Sequence, residues 1–163
     1  MKNTIGNSLT VTLFGESHGK AIGAVIDGIA SGIAVDEEFV ASQLSRRRPK
    51  DKTSTARREK DEFQILSGVF NGFTTGTPIC ITIPNADTHS PDYDKLQYKM
   101  RPSHADYTAN CRYSGFQDYR GGGHFSGRIT AALVAAGAIV LPALNKKGIY
   151  IGVPSVVNRN GIR

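Results

Sequence analysis

The sequence has no tryptophan and only two cysteines among its 163 residues. Cys80 sits in an apolar β-like run and Cys111 after a polar helix-like one, which gives neither a disulfide framework nor a metal-ligand spacing. Both read as buried or neutral thiols, because nothing cationic and close in sequence marks Cys80 as reactive. A reducing, cytoplasmic setting without a metal is the expectation. The start, Met1-Lys2-Asn3-Thr4-Ile5-Gly6, lacks the apolar core and small-residue cleavage site of an export signal. Long hydrophobic runs are also missing. The longest nearly apolar stretch, residues 129–144, is interrupted by Thr130, Gly137 and Pro142, so it reads as a buried helix and no membrane partner is expected. Acidic residues are in deficit, 14 against 20 Lys and Arg, and the resulting charge of +6 points to an anionic partner.

What is present fits one domain over residues 1–163, with an apolar fraction of 39% that suffices for a core. Residues 9–14 and 21–26 are β-like and flank Gly15-Glu16-Ser17-His18-Gly19, so two strands should hold that loop rigidly. Asp36 can cap a helix whose apolar residues Phe39, Val40 and Leu44 lie at helical spacing. That helix delivers Arg46, Arg47 and Arg48 to its end and stops at Pro49; residues 50–60 then read as a polar loop. Residues 63–70 and 73–83 flank Asn71-Gly72, the signature of a type I′ hairpin. Helices are expected over 105–113 and 129–141, and a closing strand over 148–153. Hairpins before helices, without regular alternation, predict an α+β fold, an antiparallel sheet packed on helices. The final residues follow closely on the start of that strand, so the chain reads as unfinished.

Four segments could carry chemistry, and each has a plainer alternative. His18 between glycines is either a proton-exchanging group at a strand end or a hydrogen-bonded turn residue. His104, in Arg101-Pro102-Ser103-His104-Ala105-Asp106, is either a proton donor beside an anion-holding Arg or a helix-start residue with Asp106 as a first-turn carboxylate. Gly121-Gly122-Gly123, followed by His124-Phe125-Ser126-Gly127-Arg128 and an alanine-rich helix, is either an anion site or a glycine-rich connection. It lacks the endings of a Walker loop and the spacing of the dinucleotide fingerprint. The arginines at 46–48 and 57–58 are either helix-end charges on a solvated face or a clamp for a polyanion. His89 reads as a surface residue.

Taken in order, Gly15 to Gly19, the Arg-Arg-Arg-Pro run, Ile65-Leu66-Ser67-Gly68-Val69-Phe70 with Thr74-Thr75-Gly76-Thr77-Pro78, Arg101-Pro102-Ser103-His104-Ala105-Asp106-Tyr107-Thr108, Asp118-Tyr119-Arg120-Gly121-Gly122-Gly123 and Val134-Ala135-Ala136-Gly137-Ala138-Ile139 resemble the N-terminal portion of chorismate synthases. The resemblance spans nearly the whole chain and is specific, since six separated blocks recur in order.

The resemblance implies a carbon-oxygen lyase that eliminates phosphate from 5-enolpyruvylshikimate 3-phosphate to give chorismate, in aromatic amino-acid biosynthesis, with reduced FMN. It implies a β-α-β sandwich, helices between two antiparallel sheets, assembled as a homotetramer whose site is completed by a second half of the chain. Residues 1–163 alone are then expected to lack full activity. By position, His18 matches the histidine that protonates the flavin and His104 the one that protonates the departing phosphate. Arg48, Arg101 and Arg128, with Arg47, would neutralise the substrate. His124, Phe125 and Ser126 fall where the family contacts FMN, although many members have Arg-Ser-Ser there. Arg47 and, approximately, Lys52 match contacts to NADPH in members that reduce their own flavin. Two other readings remain. One is a non-catalytic basic anion-binding or nucleic-acid-binding protein, against which stands the lack of any recognisable nucleic-acid motif. The other is an NADPH-dependent flavin reductase.

Overall fold

The computed structural model describes residues 2–47, 61–86, 93 and 99–152. Five strands form one antiparallel sheet: β1 (Thr4–Gly6), β2 (Thr10–Gly15), β3 (Ala21–Asp27), β4 (Gln64–Ser67) and β7 (Ile79–Pro84), in the order β1-β2-β3-β7-β4. A separate two-stranded piece pairs β5 (Val69–Phe70) with β6 (Phe73–Thr74). Among the described residues three α-helices accompany them: α1 (Glu37–Arg46), α2 (Asp106–Tyr113) and α3 (Thr130–Lys146). The expected α+β arrangement of antiparallel sheet on helices is what forms.

Alternation along the two central strands explains the core. Ile22, Ala24 and Ile26 of β3 pair with Ile83, Ile81 and Ile79 of β7, and all six are fully buried on one face. Burial of each isoleucine contributes about 1.5–3 kcal/mol. Onto that face packs α3, through Ala131, Ala132, Ala135, Ala136 and Ile139, whose small side chains let the helix approach the sheet closely. Val40 and Leu44 of α1 complete the cluster. As expected, Asp36 caps α1, accepting a hydrogen bond from the Phe39 backbone N–H at 2.8 Å.

Three local expectations need correction. The type I′ turn forms, with φ of 50° at Asn71 and 77° at Gly72, but the hairpin it closes is only β5 and β6. Gly68, at φ 80°, breaks the first run, and the register slips between Ile65 and Ser67, so β4 joins β7 in the larger sheet. Thr74, buried in β6, instead ties this small hairpin to residues 30–33, donating to the Ala30 carbonyl and accepting from the Ile33 N–H.

The second correction concerns α3, which does not stop at 141. Pro142 removes one backbone hydrogen bond at a cost of roughly 3 kcal/mol. Just before it Ile139 is buried and Val140 packs against the core, and the helix runs on to Lys146. By length and composition the helix could cross a membrane, yet its inner face is the core of this fold.

Thirdly, residues 148–152 are not a strand. Gly148, at φ 75°, closes α3 in a Schellman arrangement, with Gly148 N–H on the Asn145 carbonyl and Ile149 N–H on that of Leu144. Ile149, Tyr150 and Ile151 are exposed. Both cysteines are free thiols; Cys80 is half-buried in β7, whereas Cys111 on α2 is exposed.

Candidate active site

The loop between β2 and β3 presents Ser17 and His18 at the end of the sheet. Asn85, just beyond β7, donates from its side-chain amide to the carbonyls of Glu16 and Gly19, both at 2.9 Å, and so clamps the loop. From the other side comes the segment 120–125, anchored by Ser17 N–H donating to the Gly123 carbonyl at 3.1 Å. Ser17 is fully buried, and its hydroxyl donates toward the carbonyls of Gly121 (3.0 Å) and Arg120 (3.3 Å). With its single hydrogen committed there, the hydroxyl is the acceptor in its 3.1 Å contact with His18 Nδ1. His18 therefore carries a hydrogen on Nδ1, and protonation at Nε2 distinguishes its neutral ring from the imidazolium. Tyr93 packs edge-on against this ring, with centroids 4.9 Å apart.

The three glycines explain themselves geometrically. Gly121, Gly122 and Gly123 have φ of 56°, 86° and 55°, a left-handed run closed to most other residues. A Cβ on Gly121 would stand 2.1 Å from His18 Nδ1, and one on Gly122 would stand 2.9 Å from His104 Nε2. Adjacent residues of one loop thus touch the two histidines, which are 86 positions apart in sequence. The run does not open a helix directly. Ser126 performs that task, accepting from the Arg128 N–H at 3.3 Å at the head of the short 3-10 turn Gly127–Ile129 that leads into α3.

Each histidine has an Arg–carboxylate pair nearby. Arg101 Nε donates to Asp106 Oδ2 at 2.7 Å, and Asp106 Oδ1 lies 2.5 Å from His104 Nδ1. Hydrogen bonding from Arg101 holds the Asp106 carboxyl well below the usual carboxylate range, and reciprocally Asp106 raises the Arg101 guanidinium. Arg120 is paired with Asp118 at 2.8 Å. Burial pushes the Asp118 carboxyl up, but the hydrogen bonds and charge of Arg120, with a smaller electrostatic effect from His18, outweigh it and leave the group below its ordinary value.

Beneath the loop lies a second cluster that sequence reasoning missed. Asp61, buried and at a left-handed φ of 51°, accepts from Arg128 through one oxygen and from Arg47 through the other, the latter at 3.3 Å. Arg128 also donates to Asn85 Oδ1 (3.1 Å) and to the Pro84 carbonyl. Arg47, the C-cap of α1, reaches the Gly127 carbonyl and Thr130 Oγ1. Burial lowers the Arg47 guanidinium, Asp61 opposes this, and Arg128 adds to it. Both arginines named from sequence thus tie α1, β7 and α3 together under the histidine loop. Asp61 and Asn85 carried no local signal, since their partners lie 14 to 69 positions away.

Of the remaining candidates, His124 donates from Nδ1 to the Gly15 carbonyl at 2.8 Å and so locks the glycine segment to the end of β2. Phe125 packs against Tyr113, with centroids 6.2 Å apart. Phe14, Tyr113, Phe116, Phe125, Gln117 and His124 line a cleft of about 510 Å³, a size and aromatic character that suit a planar heteroaromatic ring such as a flavin's. Arg48 and Lys52 lie outside the described residues. No cluster of metal-ligating side chains occurs among the described residues.

Comparison with known proteins identifies the family. The family model described as Chorismate synthase matches residues 9–161. The chain is 54% identical over 136 residues to the chorismate synthase of Campylobacter fetus subsp. fetus, covering 83% of this chain and 38% of that protein. It is 50% identical over 150 residues to that of Aeropyrum pernix, covering 92% of the chain and 40% of the relative. It thus spans about two fifths of the length of these curated relatives. A crystal structure of chorismate synthase superposes with a TM-score of 0.62 at 33% identity, over 87% of this chain and 36% of that one. On these matches, the chain belongs to the chorismate synthase family.

Proposed function

We propose that this chain carries the proton-donating part of an active site that eliminates phosphate from 5-enolpyruvylshikimate 3-phosphate to give chorismate. The observation that supports it most is the convergence of His18 and His104 on adjacent glycines, Gly121 and Gly122. In the 1,4-elimination, charge gathers on the phosphate oxygen as the C–O bond breaks. A proton from His104 Nε2 and the guanidinium of Arg101 neutralise that oxygen together. His18, with its Nδ1 hydrogen held toward Ser17, would supply a proton to the flavin from Nε2, while the hydrogen lost from the substrate's carbon leaves by way of the part of the site that this chain does not span. Reduced FMN, when bound, lends electron density to the substrate transiently. The aromatic cleft lined by Phe125 and His124 would hold its ring, while Ser126 orders the turn that follows Phe125.

On the same reading Arg48 adds positive charge for the substrate's carboxylates and phosphate, whereas Arg128, expected from the resemblance in that role, is buried against Asp61 and holds Asn85 under the histidine loop. Arg47 and Lys52 serve NADPH where the protein reduces its own flavin. Residues from the part of the relatives' length that this chain does not span complete the site, in a cytoplasmic homotetramer.

The test is phosphate release from 5-enolpyruvylshikimate 3-phosphate by the chain joined to the C-terminal remainder of the Campylobacter fetus relative, with reduced FMN. Release matched by chorismate formation is expected. A folded fusion that releases none overturns the reading, and NADPH oxidation indifferent to the shikimate substrate would identify a flavin reductase instead.

A further inference from the structure

Asp106 makes more polar contacts than its place in the first turn of α2 requires. Its Oδ2 accepts from the Arg101 backbone N–H at 3.0 Å and from Arg101 Nε at 2.7 Å. Its Oδ1 accepts from an Arg101 terminal nitrogen at 2.9 Å and lies 2.5 Å from His104 Nδ1. We infer that Asp106 is a positioning residue, one carboxylate that fixes the ring orientation and tautomer of His104 and holds the Arg101 fork beside it.

The tautomer follows from valence. An ionised carboxylate only accepts hydrogen bonds, so His104 Nδ1 must be the donor in the 2.5 Å contact. The same Arg101 nitrogen also lies 3.2 Å from Nδ1 and 3.5 Å from Nε2. A guanidinium has no acceptor, and an Nδ1 that bears hydrogen has no lone pair to offer it. The 3.2 Å approach is therefore two donors gathered around one oxygen. The backbone supports this geometry: Ser103 adopts φ 60°, and His104 N–H donates to the Arg101 carbonyl at 3.3 Å, so the chain folds back and brings the two side chains together.

The arrangement resolves an electrostatic conflict. A guanidinium and an imidazolium in contact repel, and at such separation in a partly buried site the repulsion is substantial. A carboxylate that accepts from both lets them stand side by side while Nε2 of His104 faces Gly122. Removing the charge of Asp106 releases the ring to the Nε2–H form that free histidine prefers, and it frees Arg101 as well. The inference rests on the elimination reading only for the use made of the His104 proton, since the tautomer is a property of the chain itself.

The test is two-bond ¹⁵N–¹H correlation of ¹⁵N-histidine-labelled full chain, wild type and Asp106→Asn, without flavin or substrate. In the wild type His104 should show hydrogen on Nδ1, whether or not Nε2 is also protonated. In Asp106→Asn it should shift to the Nε2–H form, while His124, held by the Gly15 carbonyl, keeps its Nδ1–H pattern and reports that the fold is intact. A wild-type His104 lacking hydrogen on Nδ1, or an unchanged tautomer in folded Asp106→Asn, overturns the inference. Should that variant not fold, the wild-type spectrum still decides it. In the catalytic fusion, Asp106→Asn should lower kcat about 10- to 100-fold, as loss of an orienting partner does, and Asp106→Glu should recover part of it. A catalytically silent fusion alongside the predicted tautomers would refute the elimination reading and leave the positioning role standing.

Discussion

Replacing Gly121 with alanine puts one methyl group where the structure leaves no space for it. The new Cβ would lie 2.1 Å from His18 Nδ1 and Cε1 and 2.7 Å from Ser17 Oγ, whereas real Cβ contacts are essentially never under 3.0 Å. The ring or the loop must therefore move by about 1 Å, and a misplacement of that size at a reacting group costs on the order of 10²-fold in rate. The left-handed φ of 56° adds about 1–2 kcal/mol of backbone strain for a residue with a side chain. For a domain of this length that corresponds to a fall in Tm of roughly 2–8 °C. Gly122→Ala, with 2.9 Å to His104, asks for a smaller displacement and should cost less through contact, although its own φ of 86° is strained as well. Gly137→Ala is the control. It meets nothing within 4 Å and lies inside α3, so it should stabilise by about 0.5–1 kcal/mol and leave catalysis alone. The assays are thermal unfolding followed by circular dichroism and phosphate release by the catalytic fusion. Wild-type stability and turnover in Gly121→Ala would refute the argument that this loop is a spacer set by two histidines.

Further outcomes follow from the same geometry. Asp61→Ala strands Arg128 and Arg47 without their shared carboxylate and should destabilise by about 3–5 kcal/mol in urea unfolding; a loss under 1 kcal/mol would show that the cluster is solvated and not structural. Asp36→Ala removes the cap of α1 and should cost about 1 kcal/mol by the same measurement. For pH, the folded-state carboxyls of Asp106 and Asp118 are lowered, so their contribution to stability is complete above the unfolded carboxylate range near 4 and is lost as pH falls through the lowered folded values. Urea midpoints should therefore drop below about pH 4, and less steeply in Asp106→Asn; an unchanged slope in that variant would contradict the Arg101 pairing.

How much of this was legible in the sequence depends on separation along the chain. The β2–β3 hairpin, the Asp36 cap and the Asn71-Gly72 turn are local, decided within a few residues, and the sequence reading found each of them. The Arg101-His104-Asp106 cluster was also visible, because its members lie within five positions; what the sequence left open was whether Asp106 served the helix or the histidine. In the structure its carboxylate, at the first residue of α2, meets both Arg101 and His104. Asp61 and Asn85 were invisible, being ordinary polar residues whose roles arise only when the sheet brings distant arginines and loops to them. For the glycine run the sequence leaves open an anion site or a plain connection, and its use as a spacer could not be seen without knowing that two histidines flank it. Pro142 misled for the opposite reason: a local rule places the helix end before proline, yet the helix runs one further turn to Lys146.

His18 and His104, brought together across one glycine loop, are the proposed acids of phosphate elimination. Phosphate release by the catalytic fusion at saturating 5-enolpyruvylshikimate 3-phosphate, with reduced FMN, measures this directly for His18→Ala and His104→Ala. Each substitution should lower turnover by roughly 10² to 10⁴, the usual consequence of losing a general acid. Turnover unchanged in both variants would contradict the claim.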